Sequence, residues 1–167
     1  MRVVVSLTTI PGRGALLERT IASLHRQTYR PDAIFLWLPV ERFGTDRAGT
    51  RFAGVEVRSG PDLGPAMKIL PLLRIETDPD TLIITVDDDV EYPPELVEKL
   101  AHASVILPDH AIGFTGWNAI KGAEETEILH LNENVACAAV FQRVHVLEGY
   151  RGVAYRRGFF ESDIFYH

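Results

Sequence analysis

A single α/β domain, with a mostly parallel central sheet and helices on both faces, is the fold class this sequence predicts. Short runs rich in valine and isoleucine alternate with longer segments of helical periodicity. The resulting order up to about residue 115 is β-α-β-β-α-β-α-β. That alternation implies parallel strands joined by crossover helices, buried on both sides. The length of 167 residues suits one domain, since domains typically run roughly 100–200 residues.

The elements follow in order. Arg2 to Leu7 is a buried strand, short and valine-rich. Thr8 to Gly14 is a loop by its Thr, Pro and Gly content. From Ala15 to Gln27 the pattern turns helical, with Leu17, Ile21 and Leu24 at spacings of four and three. Ala33 to Leu38 is a second strand, and Val55 to Arg58 a short third. Asp62-Leu63-Gly64-Pro65 marks a helix start, with an acidic cap candidate and an early proline. That helix is expected to run through Met67, Leu70 and Leu73. Thr81 to Val86 is the fourth strand and the most continuous β-branched run. Pro93-Pro94 opens a helix carrying Leu96, Val97, Leu100 and Ala101, and Ala111 to Thr115 is a fifth strand. Val135 to Phe141 and Gly152 to Arg156 also read as strands. Val144 to Leu147 either extends the former or turns away from it. Arg42 to Gly54 is the expected surface loop.

Composition narrows the function classes. The formal net charge is -6, with 46% hydrophobic and 24% charged residues. This is a globular composition, not a disordered one. The acidic balance argues against nucleic-acid binding, which recruits clustered Lys and Arg. One cysteine, Cys137, excludes an internal disulfide and reads as a buried thiol in an apolar run. No secretory signal and no membrane span is visible. A cytoplasmic or membrane-peripheral location is therefore expected. None of the six histidines has metal-ligand spacing; His102, His110, His130 and His145 read as surface or packing residues.

The chemistry is expected at Asp87-Asp88-Asp89, directly after the fourth strand. Ligands of open α/β sheets bind outside the carboxyl ends of the strands. Three adjacent carboxylates repel one another unless compensated. A hard divalent cation, Mn²⁺ or Mg²⁺, would relieve that repulsion and bridge phosphate oxygens. In extended backbone Asp87 and Asp89 would face one way and Asp88 the other. A solvated acidic turn is the alternative.

The run Thr81-Leu82-Ile83-Ile84-Thr85-Val86-Asp87-Asp88-Asp89-Val90-Glu91-Tyr92-Pro93 resembles the strand and DXD motif of GT-A glycosyltransferases. Val3 to Arg13 resembles the first nucleotide-binding strand and loop of family-2-like members. His25 to Asp32 is similar to their join between first helix and second strand, and Gly149 to Arg157 to their acceptor-side strand. The resemblance implies a Rossmann-like GT-A domain over residues 1–167. Residues 1–115 would form its nucleotide-binding half and 116–167 its acceptor-side half. It implies that Thr8 and the backbone around Thr9 line a nucleoside pocket. Asp87 or Asp88 would approach the ribose or the metal through water, and Asp89 would ligate the metal. The partners implied are a nucleotide diphosphate sugar, foremost a UDP-sugar, and a glycan or other hydroxyl acceptor. Inverting members usually carry an Asp or Glu base after the acceptor strand, whereas this chain ends at His167. The resemblance therefore implies either an absent C-terminal portion or a minimal protein.

Other residues join these by position. Lys68 would add a charge to a phosphate near a helix N-terminus, or be an ordinary exposed lysine. Arg13, on the first loop, would contact phosphate or nucleobase, or stay solvated. Trp117 and Asn118 follow the fifth strand; Trp117 would stack on a sugar ring or pack in the core. Glu148 and Asp163 are the candidate bases. The expected activity is metal-assisted glycosyl transfer. The alternatives are a sugar-nucleotide nucleotidyltransferase and a non-catalytic nucleotide- or metal-binding module.

Overall fold

The computed structural model describes residues 1–44, 52–117, 141–161 and 164, and the backbone of 128–130. Cys137, Asn118, Asp163, most of the strand expected at Val135 to Phe141 and much of the loop expected at Arg42 to Gly54 lie outside the described residues.

The elements begin β1 (Val3–Thr8), α1 (Gly14–His25), β2 (Ala33–Pro39), α2 (Val40–Phe43) and β3 (Glu56–Gly60). There follow α3 (Leu70–Leu73), β4 (Leu82–Thr85), α4 (Leu96–Ile106), β5 (Ile112–Gly113) and β6 (Thr115–Trp117). The last are β7 (Ile128–His130), β8 (Val146–Leu147) and β9 (Val153–Arg156). The six-stranded sheet has the order β3-β2-β1-β4-β9-β5. β3, β2, β1 and β4 run parallel. β9 lies antiparallel to both β4 and β5. The predicted α/β class and mostly parallel sheet are thus observed.

Alternate residues of the central strands face two separate cores, which is why those strands read as continuous apolar runs. Val3, Val5, Leu7, Leu36 and Ile84 pack beneath Leu17, Ile21 and Leu24 of α1 and Leu96, Val97 and Leu100 of α4. On the other face Val4, Phe35, Trp37 and Ile83 meet Met67, Leu72 and Leu73. Each such side chain contributes about 1.5–3 kcal/mol when fully buried, so the larger first cluster holds α1 and α4 most firmly. Among the described residues no helix is long and apolar enough to cross a membrane.

Two expectations are corrected. The helix expected from Gly64 through Leu73 is a 3-10 turn over Gly64–Lys68, a break at Ile69 and the short α3. Pro71 has no N–H to give residue 67 and its ring opposes a continuous helix, so the chain restarts with Pro71 in a new first turn. The strand expected over Ala111 to Thr115 divides at Phe114. β5 stays at the edge of the main sheet, and β6 joins a second sheet ordered β7-β6-β8. Close approach permits this: a Cβ at Gly116 would stand 2.6 Å from both Val144 Cγ2 and Val146 O. Val144 to Leu147 accordingly turns away, pairing as β8 with β6.

Candidate functional site

The chain leaves β1 toward β2 on one side and leaves β4 toward β5 on the other. Their shared border is therefore a topological switch point, the usual place of ligand binding in open α/β sheets. Ser6 and Thr85 are paired across that border. The loops Thr8 to Gly14 and Val86 to Tyr92 leave it side by side, which brings residues far apart in sequence into contact.

Thr9 Oγ1 donates to Asp88 Oδ2 at 2.6 Å, and Arg13 Nη1 donates to Asp88 Oδ1 at 2.7 Å. The same Arg13 nitrogen lies 3.2 Å from Asp89 Oδ2. Lys68 Nζ pairs with Asp87 Oδ1. The three carboxylates differ in access: side-chain exposure is 25% for Asp87, 7% for Asp88 and 39% for Asp89. The Asp88 hydrogen bond, then the Asp88 charge, raises the Arg13 guanidinium above its ordinary pKa.

Two expectations change here. Asp88 and Asp89 share Arg13 while Asp87 pairs with Lys68, and the extended backbone that would make Asp87 and Asp89 face one way is absent. The strand ends at Thr85, and Asp88 and Asp89 lie in a bend where two-residue alternation no longer holds. The acidic repulsion is also relieved in part by the chain's own cations. Nor does Lys68 act beside a helix N-terminus. The turn before it is five residues long, and Asp62 Oδ1 already accepts from the Gly64 N–H at 2.9 Å.

Among the described residues no three His, Cys, Asp or Glu side chains converge as a ready metal cage. The donors nevertheless fit Mg²⁺ or Mn²⁺, which are commonly held by one or two carboxylates plus substrate phosphates. Asp89 is the most open of the three, and Asp87 is the next most open. Asp88 is already occupied by Thr9 and Arg13.

The remaining candidates are distributed. Thr8 Oγ1 donates to Trp37 O at 2.9 Å, beside the site. Trp117 ends β6 in the second sheet, half-buried. Glu148 follows β8; its N–H donates to Thr115 O at 3.0 Å, and its Oε2 is shielded from solvent with no hydrogen-bond partner among the described residues.

Sequence reasoning missed Tyr92 and a polar stripe on α1. Tyr92 is 4% exposed. Its Oη accepts from the Asp87 N–H at 2.8 Å and donates to Tyr150 O at 3.0 Å. Thr20 Oγ1 donates to Val90 O at 2.8 Å, and Ser23 Oγ accepts from the Tyr92 N–H at 3.0 Å. Gln27 Nε2 donates to Pro93 O at 2.8 Å, and Gln27 Oε1 accepts from the Val97 N–H at 2.9 Å. A signal was present: Thr20, Ser23 and Gln27 recur at helical spacing along one flank of the apolar stripe.

Burial raises the pKa of the Tyr92 hydroxyl, and that of Tyr155 likewise. Both phenols stay neutral in the folded chain after they would ionise in the unfolded one. Stability is then full below about pH 10 and declines as pH rises above it. Urea unfolding at pH 8 and pH 11 should show the fall, and Tyr92→Phe should reduce it.

No protein-family model and no curated protein sequence matches the chain. Solved structures do. The fold is similar to 2-C-methyl-D-erythritol 4-phosphate cytidylyltransferase from Francisella tularensis, with a TM-score of 0.57 and 11% identity; the match covers 95% of this chain and 74% of that one. It is also similar to a 4-diphosphocytidyl-2C-methyl-D-erythritol synthase, with a TM-score of 0.59 and 15% identity, covering 95% and 76%. At these identities the likeness is one of fold alone: an α/β architecture around a mostly parallel sheet.

Proposed function

We propose that this chain is a nucleotide-dependent transferase acting at the tip of β4, and that the group it moves is a sugar from a nucleotide diphosphate donor. The observation that carries the reading is the pairing of Arg13 and Lys68 with Asp87, Asp88 and Asp89 at the switch point. Here a cation-diphosphate pair would find both halves of its charge answered.

Asp89 and Asp87 would hold Mn²⁺ or Mg²⁺, which when bound offsets negative charge on the departing diphosphate. Arg13 and Lys68 would then exchange partners, leaving carboxylates to meet phosphate oxygens. Asp88, buried and bonded to Thr9, stays behind as the fixed anchor of the first loop. Thr8 and Thr9 line the entrance at the end of β1. Glu148 is the described candidate for taking the proton from the acceptor hydroxyl, its Oε2 having no hydrogen-bond partner among the described residues.

Nucleotidyl transfer is the second reading, and the fold likeness to the cytidylyltransferase and to the diphosphocytidyl-methylerythritol synthase favours it. One feature of the chain weighs the other way. The loop Thr8 to Gly14 has a single basic residue, Arg13, to meet a triphosphate.

The test is a panel of UDP-sugars and nucleoside triphosphates with Mn²⁺, followed by thermal shift and product analysis. Ligands of the folded state raise its stability by mass action. Release of nucleoside diphosphate supports glycosyl transfer, and release of pyrophosphate establishes the second reading. A shift without turnover points to a binding module. Partner exchange makes a further prediction. Lys68→Met should weaken UDP binding by about tenfold, the worth of one charge-assisted hydrogen bond. It should also tighten binding of Mn²⁺ alone, because the internal cation no longer competes for Asp87. Calorimetric titration of each ligand separately checks both signs.

A further inference from the structure

The acidic loop and the turn Gly149–Arg151 belong to distant parts of the chain, yet one buried side chain joins them. Tyr92 Oη accepts from the Asp87 N–H and donates to Tyr150 O, at 2.8 and 3.0 Å. Both bonding directions of the hydroxyl are thereby used. The Tyr92 N–H is in turn fixed to Ser23 Oγ, which itself donates to Thr20 O at 2.6 Å. The ring is held from both ends, and Tyr92 itself is buried. Simple core packing does not account for this. Phenylalanine would fill the same volume but would leave a donor on Asp87 and an acceptor on Tyr150 unanswered.

We infer that Tyr92 is a positioning residue that couples the carboxylate of Asp87 to the segment Glu148–Arg151, setting the donor-side and acceptor-side groups at a fixed spacing. The inference rests on the proposed reading of the site and deepens it. Tyr92 does not touch substrate. It acts through the Asp87 main chain on one side and the carbonyl of Tyr150, two residues beyond Glu148, on the other.

Tyr92→Phe tests it on the full chain. Wild-type protein is first titrated with Mn²⁺ plus UDP and assayed for hydrolysis and transfer with a UDP-sugar. No response in wild type would count against the proposed function itself. Where wild type responds, Tyr92→Phe should lower kcat about tenfold, the scale of a lost hydrogen-bond pair. It should also shift the product ratio from transfer toward hydrolysis, while KM for the donor changes less. A purely structural role would lower the active fraction and leave both KM and the product ratio alone. Amide exchange supplies a second readout. The Asp87 amide should be protected in wild type and lose that protection in Tyr92→Phe, with the amides of α1 unaffected. Unchanged kcat and product ratio in a responsive enzyme would overturn the inference. If the variant does not fold, an unprotected Asp87 amide in wild type would overturn it equally.

Discussion

Asp89→Asn should abolish the stabilisation that Mn²⁺ and nucleotide give together while leaving the unliganded protein within about 0.5 kcal/mol of wild type, the usual range for an exposed site. Asp88→Asn should do nearly the reverse. The contrast follows from access and partners. Asp89 is 39% exposed and touches only the far edge of the Arg13 contact, at 3.2 Å. Asp88 is 7% exposed and accepts from both Thr9 and Arg13. Because Arg13 is itself 40% exposed and can rehydrate, the Asp88 change costs only about 1–2 kcal/mol, well under the figure for a fully buried pair. At ligand concentrations near 100 Kd, bound ligand adds about 2.7 kcal/mol, all of which Asp89→Asn should forfeit. Thermal denaturation with and without Mn²⁺ and UDP separates the two variants. Retention of the gain in Asp89→Asn would remove this carboxylate from the metal site.

The central elements were legible because burial on both faces leaves an unmistakable sequence trace. Arg2 to Leu7 and Thr81 to Val86 differ from β1 and β4 only at their ends. The place of the acidic triplet in the fold was legible for the same reason, since carboxylates directly after a strand emerge at its carboxyl end. The partners of that triplet were not. Arg13 meets Asp88 across 75 positions and Thr9 across 79, and nothing local encodes that these loops leave adjacent strands. Pro71 was a visible helix breaker that the apolar spacing of Met67, Leu70 and Leu73 outweighed. The division of Ala111 to Thr115 between two sheets was less visible. Strands of two or three residues carry too few side chains for a period, and only the glycines at 113 and 116 hinted at close backbone contact. Tyr92 was missed because a tyrosine before two prolines reads as a loop residue until its buried hydroxyl is seen to bind two backbones.

Gly152→Ala should destabilise the protein by about 2–4 kcal/mol, most of it through the backbone. Gly152 has φ 85° and ψ 136°, a conformation that residues with a Cβ adopt at a cost of about 1–3 kcal/mol. The added Cβ would also stand 3.3 Å from Leu96 Cδ1 and 3.6 Å from Leu100 Cδ1. Both leucines are about 1% exposed, so neither can swing into solvent to make room. At about 2–4 °C per kcal/mol for a chain of this size, Tm should fall by roughly 5–15 °C. Gly149→Ala is the internal control, because its added Cβ meets nothing within 4 Å; it should melt close to wild type. The functional consequence follows from the same geometry. The Gly152 N–H closes the turn onto Gly149 O at 3.0 Å, and that turn presents Tyr150 O to Tyr92. Relaxing Gly152 into an ordinary conformation must move Tyr150 O off the hydroxyl that also holds Asp87. Even at a temperature where Gly152→Ala is fully folded, its response to Mn²⁺ and UDP should be weaker than that of wild type. A variant with a lowered Tm but an undiminished ligand response would show that the turn stabilises the fold without reaching the acidic loop.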